Sequence, residues 1–156
     1  MSRSLIIKAL IAGLIAGSLD IIAAFIQTYV RSGKGPAAVL EFIASGAFRR
    51  GAFTSETMLI LLGLVFHFII ALTFTLIFFW LADTFPRILE RKIITAFLYS
   101  VFMWCVTQFI VIPLSKIPSW PFNLTNAIIA VLILFICIGI PITYLAANAL
   151  KDEVDE

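Results

Sequence analysis

Charge is scarce in this sequence. Only 13% of its 156 residues are charged while 62% are hydrophobic, and the mean hydropathy is +1.12. A soluble chain this short could not cover so much apolar surface with so few charges, which argues against a soluble enzyme, a nucleic-acid binder and a disordered segment. Histidine occurs once, at His67, so haem held by two histidines of one chain is excluded. There are two cysteines, Cys105 and Cys137, without Cys-x-x-Cys spacing. They read as buried, inert thiols rather than a disulfide or a metal pair, and no metal site is expected. No Gly-x-Ser-x-Gly, His-Glu-x-x-His or Walker loop occurs, so the expectation is a protein with no catalytic residues and no cofactor. The net charge of +2 leaves no footprint for nucleic acid.

What is present in quantity is apolar length. Four runs are long enough to cross a bilayer, which takes about 20 residues each: Leu5–Val30, Met58–Ala82, Ile93–Leu114 and Leu124–Ala147. Among the 11 Lys+Arg and 9 Asp+Glu residues, only Lys8 and Asp20 fall inside them. A bilayer enforces that segregation, because a central charge is disfavoured by roughly 2.5–3.5 kcal/mol on insertion scales. The runs lack period-2 alternation, so they are helices, not barrel strands. The reading is a single all-α integral membrane domain over residues 1–156, a four-helix transmembrane bundle running up-down-up-down. The first run resembles a signal peptide in its basic start, but it reads as a retained helix because it continues to Val30, contains Asp20 and is followed by no convincing small-x-small cleavage site. Lys8, near its start, reads as a snorkelling side chain.

The connections refine this picture. Pro36 can open a short helix ending near Gly46, too short to span, with the basic pair Arg49 and Arg50 beyond it; it reads as interfacial or re-entrant. Asp83–Lys92 reads as a solvated turn. Pro113 ends the third run, Pro118 and Pro121 lie in the next loop, and Pro141 should kink the fourth run. Aromatic residues suggest two belts, Tyr29 and Trp120 on one side and Trp80, Tyr99 and Tyr144 on the other. The Phe-rich stripe of the second run reads as lipid-facing, Phe78 included. Basic residues divide six against five between the two sides, so orientation rests on the short tails and the compact basic second loop, which favour cytoplasmic termini.

One constellation could carry chemistry. Ala9, Gly13 and Gly17 repeat at four-residue spacing, a small-residue face that lets another helix approach closely, and Asp20 continues that face. In the second run Gly63, His67 and Ala71 repeat likewise. Gly13, Gly17 and Gly63 are thus the candidate helix-packing residues. Asp20 lies ~15 Å and His67 ~14 Å from the same membrane end, which places both near the midplane. Trp104 reaches a similar level within a polar stripe of Ser100, Trp104, Thr107 and Gln108. Asp20, His67, Trp104 and Gln108 form the candidate intramembrane polar site. An Asp–His pair at that depth either binds a proton or cation or locks two helices by a hydrogen bond worth ~1 kcal/mol.

The pattern Ala12-Gly13…Ala16-Gly17…Asp20, Ile43-Ala44-Ser45-Gly46 with Ala52-Phe53, Gly63…His67 and Pro113-Leu114-Ser115 resembles a group of small four-helix bacterial inner-membrane proteins with no assigned activity. The resemblance spans roughly residues 10–115. It implies only that Asp20, the Ala44–Gly46 segment and His67 belong to one architecture.

Two functions follow. The first is a non-enzymatic membrane protein acting through helix contacts, as an accessory subunit or a homo-oligomer. The second is a small proton- or cation-coupled carrier using Asp20 and His67, for which four helices suggest a dimer or more. Both place the chain in a lipid bilayer, of bacterial inner-membrane type. An aqueous cavity reaching Asp20 and His67 would favour the second; a dry, packed pair would favour the first.

Overall fold

Helix-starting chemistry sets the ends of the long helices. The computed structural model describes residues 1–47, 55–115 and 123–155. Ser2 caps α1 (Arg3–Ser32) by accepting the Leu5 amide, Ser55 caps α3 (Glu56–Thr84) through Met58, and Asn123 caps α6 (Leu124–Leu134) through Asn126. Gly33 closes α1 in the left-handed region at φ 67°, a conformation glycine adopts without Cβ strain. Between α1 and α3 lies α2 (Pro36–Ala47). The basic pair Arg49 and Arg50, Phe53, Pro118, Trp120 and Pro121 lie outside the described residues.

The chain is all-helical over the described residues and forms a four-helix bundle with α2 packed beside it. Four helical stretches are long and apolar enough to cross a membrane: Arg3–Ser32, Glu56–Thr84, Pro86–Leu114 and Leu124–Asp152. This is an integral membrane protein. Lys8 near the start of α1 meets Asp152 near the end of α7 (Ile140–Asp155) at 3.0 Å, so both ends of the chain lie on one side of the bundle. Lys8 therefore has a protein partner instead of reaching only for the membrane surface.

The third and fourth spans are not uniform. The supposed turn before the third is a 3-10 helix, Pro86–Arg91, whose Ile88 and Leu89 pack against the core. It leads directly into α4 (Lys92–Val106), followed by a π turn, Thr107–Val111, and the short α5 (Ile112–Leu114). A second π turn, Phe135–Gly139, separates α6 from α7. Each π turn immediately precedes a proline turn, at Pro113 and Pro141. Proline supplies no amide hydrogen and its ring crowds the carbonyl four residues back. The chain answers by widening: Ile112 N–H bonds to Thr107 O, and Ile140 N–H to Phe135 O, five residues back in each case.

The core occupies one half of the bundle. Leu5, Ala9, Ala12 and Ala16 of α1 meet Phe74, Phe78, Phe79 and Ala82 of α3, Tyr99 and Met103 of α4, and Ile138, Ile142, Ala146 and Ala149 of the fourth span. Two expectations are corrected here. Phe78 is not lipid-facing but 1% exposed, with Phe79 and Phe74 buried beside it. Tyr99 is not part of an aromatic belt: it is buried, its ring centroid is 4.8 Å from that of Phe78, and its hydroxyl donates to the Phe74 carbonyl at 2.6 Å. The physical reason is common to both. In lipid an apolar side chain is equally at ease outside and inside, so hydrophobicity does not say which way it points. Trp80, Tyr29 and Tyr144 are exposed, and Tyr144 receives the Lys92 ammonium 5.1 Å from its ring centroid.

Small residues set the spacing of this half. A Cβ at Gly13 would lie 2.8 Å from Leu72, and one at Gly17 would lie 3.1 Å from Ala71, so both glycines seat α1 against α3. Gly63 works differently. A Cβ there would overlap the Leu40 carbonyl, so Gly63 seats the backbone of α2, whose Leu40 and Ala44 are buried. At Gly139 a Cβ would collide with Ser100 Oγ and lie 2.6 Å from the Ala96 carbonyl, which makes it the glycine that brings the third and fourth spans together. The buried hydroxyls of Thr75, Ser100 and Thr143 each donate to the carbonyl four residues back in their own helix. No buried side-chain nitrogen or oxygen among the described residues lacks a partner, as hydrocarbon surroundings require.

Candidate functional site

Beyond the packed half, the bundle holds a cavity of about 340 Å³. All four spans and α2 contribute to it: Asp20, Ala24 and Gln27 from α1, Ile43 from α2, His67, Ile70 and Phe74 from α3, Met103, Trp104, Thr107 and Gln108 from the third span, and Ala130, Ile133, Leu134 and Ile138 from the fourth. The local reason is periodicity. Asp20, Ala24 and Gln27 fall at i, i+4 and i+7, one face of α1, and Trp104 and Gln108 fall at i and i+4. Past Gly17 that face of α1 carries polar and larger groups instead of the small residues that close the other half.

His67 is the best-defined member. Its Nε2 lies 2.8 Å from the carbonyl oxygen of Gly17. A carbonyl can only accept, so Nε2 carries the hydrogen and donates it. The ring also stands edge-on to Phe68, with centroids 5.4 Å apart. The imidazole is within electrostatic range of the Asp20 carboxyl, which sits one turn beyond Gly17, and Cys137 is within such range from the π turn opposite. The hydrogen bond that joins α3 to α1 thus runs from His67 to backbone, and the carboxyl is left to the cavity. Asp20 makes no hydrogen bond to the described residues, and since no buried polar atom there is unpartnered, its oxygens border open space. The side chains of Gln27 and Gln108 face the same space, likewise unbonded to described residues.

A second hollow of about 350 Å³ adjoins the first and shares Gln27, Trp104, Gln108 and Ala130 with it. It is lined further by Arg31, Phe42, Ile112, Asn123 and Asn126. Arg31 is at the end of α1, Asn123 and Asn126 at the start of α6, and Phe42 and Ile112 in α2 and α5, so this hollow lies toward the membrane end opposite Lys8 and Asp152. Arg31 donates to Asn126 Oδ1 at 2.9 Å across its rim. The two hollows share a polar-studded wall between Asp20 and the Arg31–Asn126 pair. Toward the other end stand Phe78, Phe79, Leu5 and Ile142, all fully buried.

The structure therefore brings Asp20, His67, Trp104 and Gln108 to one cavity. Ser100, of the same sequence stripe, is instead buried against Gly139. Cys105 and Cys137 are half-buried free thiols. Gln27, Ile43, Arg31 and Asn126 line the hollows too, although the sequence reading placed none of them in the polar site. Gln27 and Arg31 were accessible to the same reasoning as Asp20, since they continue its face at i+7 and i+11. Ile43 was not, because nothing local places α2 against α3. Among the described residues no cluster of His, Cys, Asp or Glu could hold a metal ion.

Fold and site define a four-span integral membrane protein with a cavity, lined by all four spans and α2, that holds an acidic side chain. No family model matches the chain, and no curated protein or solved structure matches it.

Proposed function

We propose that this protein is a small proton- or cation-coupled carrier of a bacterial-type inner membrane, with both termini cytoplasmic and no catalytic chemistry of its own. The observation that carries the reading is the cavity itself: a carboxyl at mid-depth, unbonded to described residues, in a cavity lined in part by amides. An intramembrane carboxyl is disfavoured unless it serves a partner or a pathway. The alternative role in helix packing is weakened by the same geometry. Gly13, Gly17 and Gly63 are all engaged in contacts within the chain, so the small-residue faces of α1 and α3 that they mark are already taken. The four spans of one chain line the site, so a dimer is not needed to build it.

In this reading Asp20 loads and releases the ion, His67 fixes the local field and holds α3 to α1, and Gln27 and Gln108 exchange the ion with water at the open end. The test is proton flux into liposomes carrying purified protein and an internal pH-sensitive dye, under an imposed pH gradient with valinomycin and potassium to compensate charge. Wild type should acidify the lumen faster than protein-free liposomes, and Asp20→Asn should fall to their leak rate while eluting as wild type does in detergent. Equal flux from wild type and Asp20→Asn would refute the reading.

A further inference from the structure

Resting on the carrier reading of this same cavity, we propose that Asp20 binds an organic monocation with an apolar body, of the substituted-ammonium class, in competition with the proton. Three observations lead there. The first is size. A cavity of about 340 Å³ is roughly ten times the ~30 Å³ share of one water molecule and lies at the small end of organic-ligand pockets. A bare inorganic cation would fill little of it and calls for a shell of about six oxygens. The deep lining supplies one carboxyl and one amide from α1 and one hydroxyl and one amide from the third span.

The second is sign. Asp20 is the one carboxyl on the lining among the described residues. The titratable groups facing it are His67 from α3 and Cys137 from the π turn of the fourth span. Neither α2 nor α4 adds a charge to the deep cavity. Arg31, the cation of the outer hollow, is bonded to Asn126 and lies eleven residues along α1, ~16 Å away. Among the described residues Asp20 is thus the one side chain at depth that can carry negative charge, which a monocation matches and a dication overshoots.

The third is the wall. Ile70, Phe74, Met103, Ile133 and Leu134 offer apolar surface around the carboxyl, and Phe74 and Trp104 offer ring surface. Alkylated ammonium is the cation class that gains from both apolar contact and aromatic rings, because its charge is spread over methyl hydrogens. The exchange balances simply. Protonated Asp20 gives up its proton, the cation takes its place beside the carboxylate, and the proton leaves past Gln27 and Gln108 to the open end.

The experiment is calorimetric titration of full-length protein in nanodiscs with benzyltrimethylammonium, and with benzenesulfonate as the anionic counterpart, across pH 5 to 9. Wild type should bind the cation and not the anion, more weakly as pH falls. Asp20→Asn should weaken binding by about tenfold or more, equivalent to ~1.4 kcal/mol, and lose the pH dependence. Leu134→Trp, which narrows the cavity and leaves Asp20 in place, should weaken binding too, so the proposal does not hang on one variant. Absence of cation binding, equal binding of the sulfonate, or undiminished binding in Asp20→Asn overturns it. Asp20-dependent proton flux without cation binding would overturn this inference and leave the carrier reading standing. Cation binding without flux would do the reverse.

Discussion

His67 gives its Nε2 hydrogen to the backbone carbonyl of Gly17 at 2.8 Å, not to the carboxyl of Asp20 one turn further on. That bond ties α3 to α1 at the floor of the cavity. Losing it should cost about 1 kcal/mol, the scale of an interhelical hydrogen bond in a membrane. His67→Phe should therefore lower thermal stability in detergent modestly. His67→Gln, whose amide can still donate, should lose less. Asp20 and His67 also share a field, so Asp20→Asn and His67→Gln together should depart from additivity by more than about 0.5 kcal/mol. Strict additivity of their unfolding free energies would show that the two side chains act independently.

Gly63→Ala should dislodge α2, because its new Cβ would overlap the Leu40 carbonyl, which is backbone and has nowhere to go. Overpacking of this kind costs ~1–3 kcal/mol. Gly17→Ala meets the Phe68 ring at 3.2 Å and Ala71 at 3.1 Å, contacts that a small shift relieves, so it should be milder. Thermal melts of the two variants would rank them. Thiol labelling of Ala44→Cys, buried in the parent, should rise in the Gly63→Ala background and stay low in the Gly17→Ala one.

Phe78→Ala should be strongly destabilising, by about 3 kcal/mol or more, since it empties a fully buried site against Tyr99. Trp80→Ala, at 53% exposure two residues on, should change the detergent melting temperature far less. Similar losses for both would mean that this face of α3 is not the packed one.

Access to the cavity should be one-sided. In a background lacking Cys105 and Cys137, Gln27→Cys and Gln108→Cys should react with a membrane-impermeant thiol reagent from the α1 C-terminal side only. Ala146→Cys, in the packed half, should not react from either side. Lys34→Cys and Lys92→Cys should label from opposite sides, because they flank opposite ends of α3. Labelling of both from one side would contradict the antiparallel bundle.

Lys8 and Asp152 form an exposed pair, the lysine 33% and the aspartate 63% accessible. Such pairs are worth ~0–1 kcal/mol and are screened by salt. Lys8→Ala should shift the melting temperature slightly at low ionic strength and not at all in molar salt.

Span number, helical class and the short helix after Pro36 were readable from the chain, because a bilayer demands about 20 apolar residues per helix and expels charge from them. The common depth of Asp20 and His67 was readable too, since helical rise is constant. Facing was not. Phe78 and Tyr99 could be placed in a core, and Gly63 against α2 instead of α1, only by the assembled bundle. In water, an apolar face must be buried and so announces its partner; in lipid it need not be, and packing among α1, α2, α3 and the two π-turned helices makes that choice. The same assembly decided that His67 would bond to backbone, leaving the Asp20 carboxyl to open space.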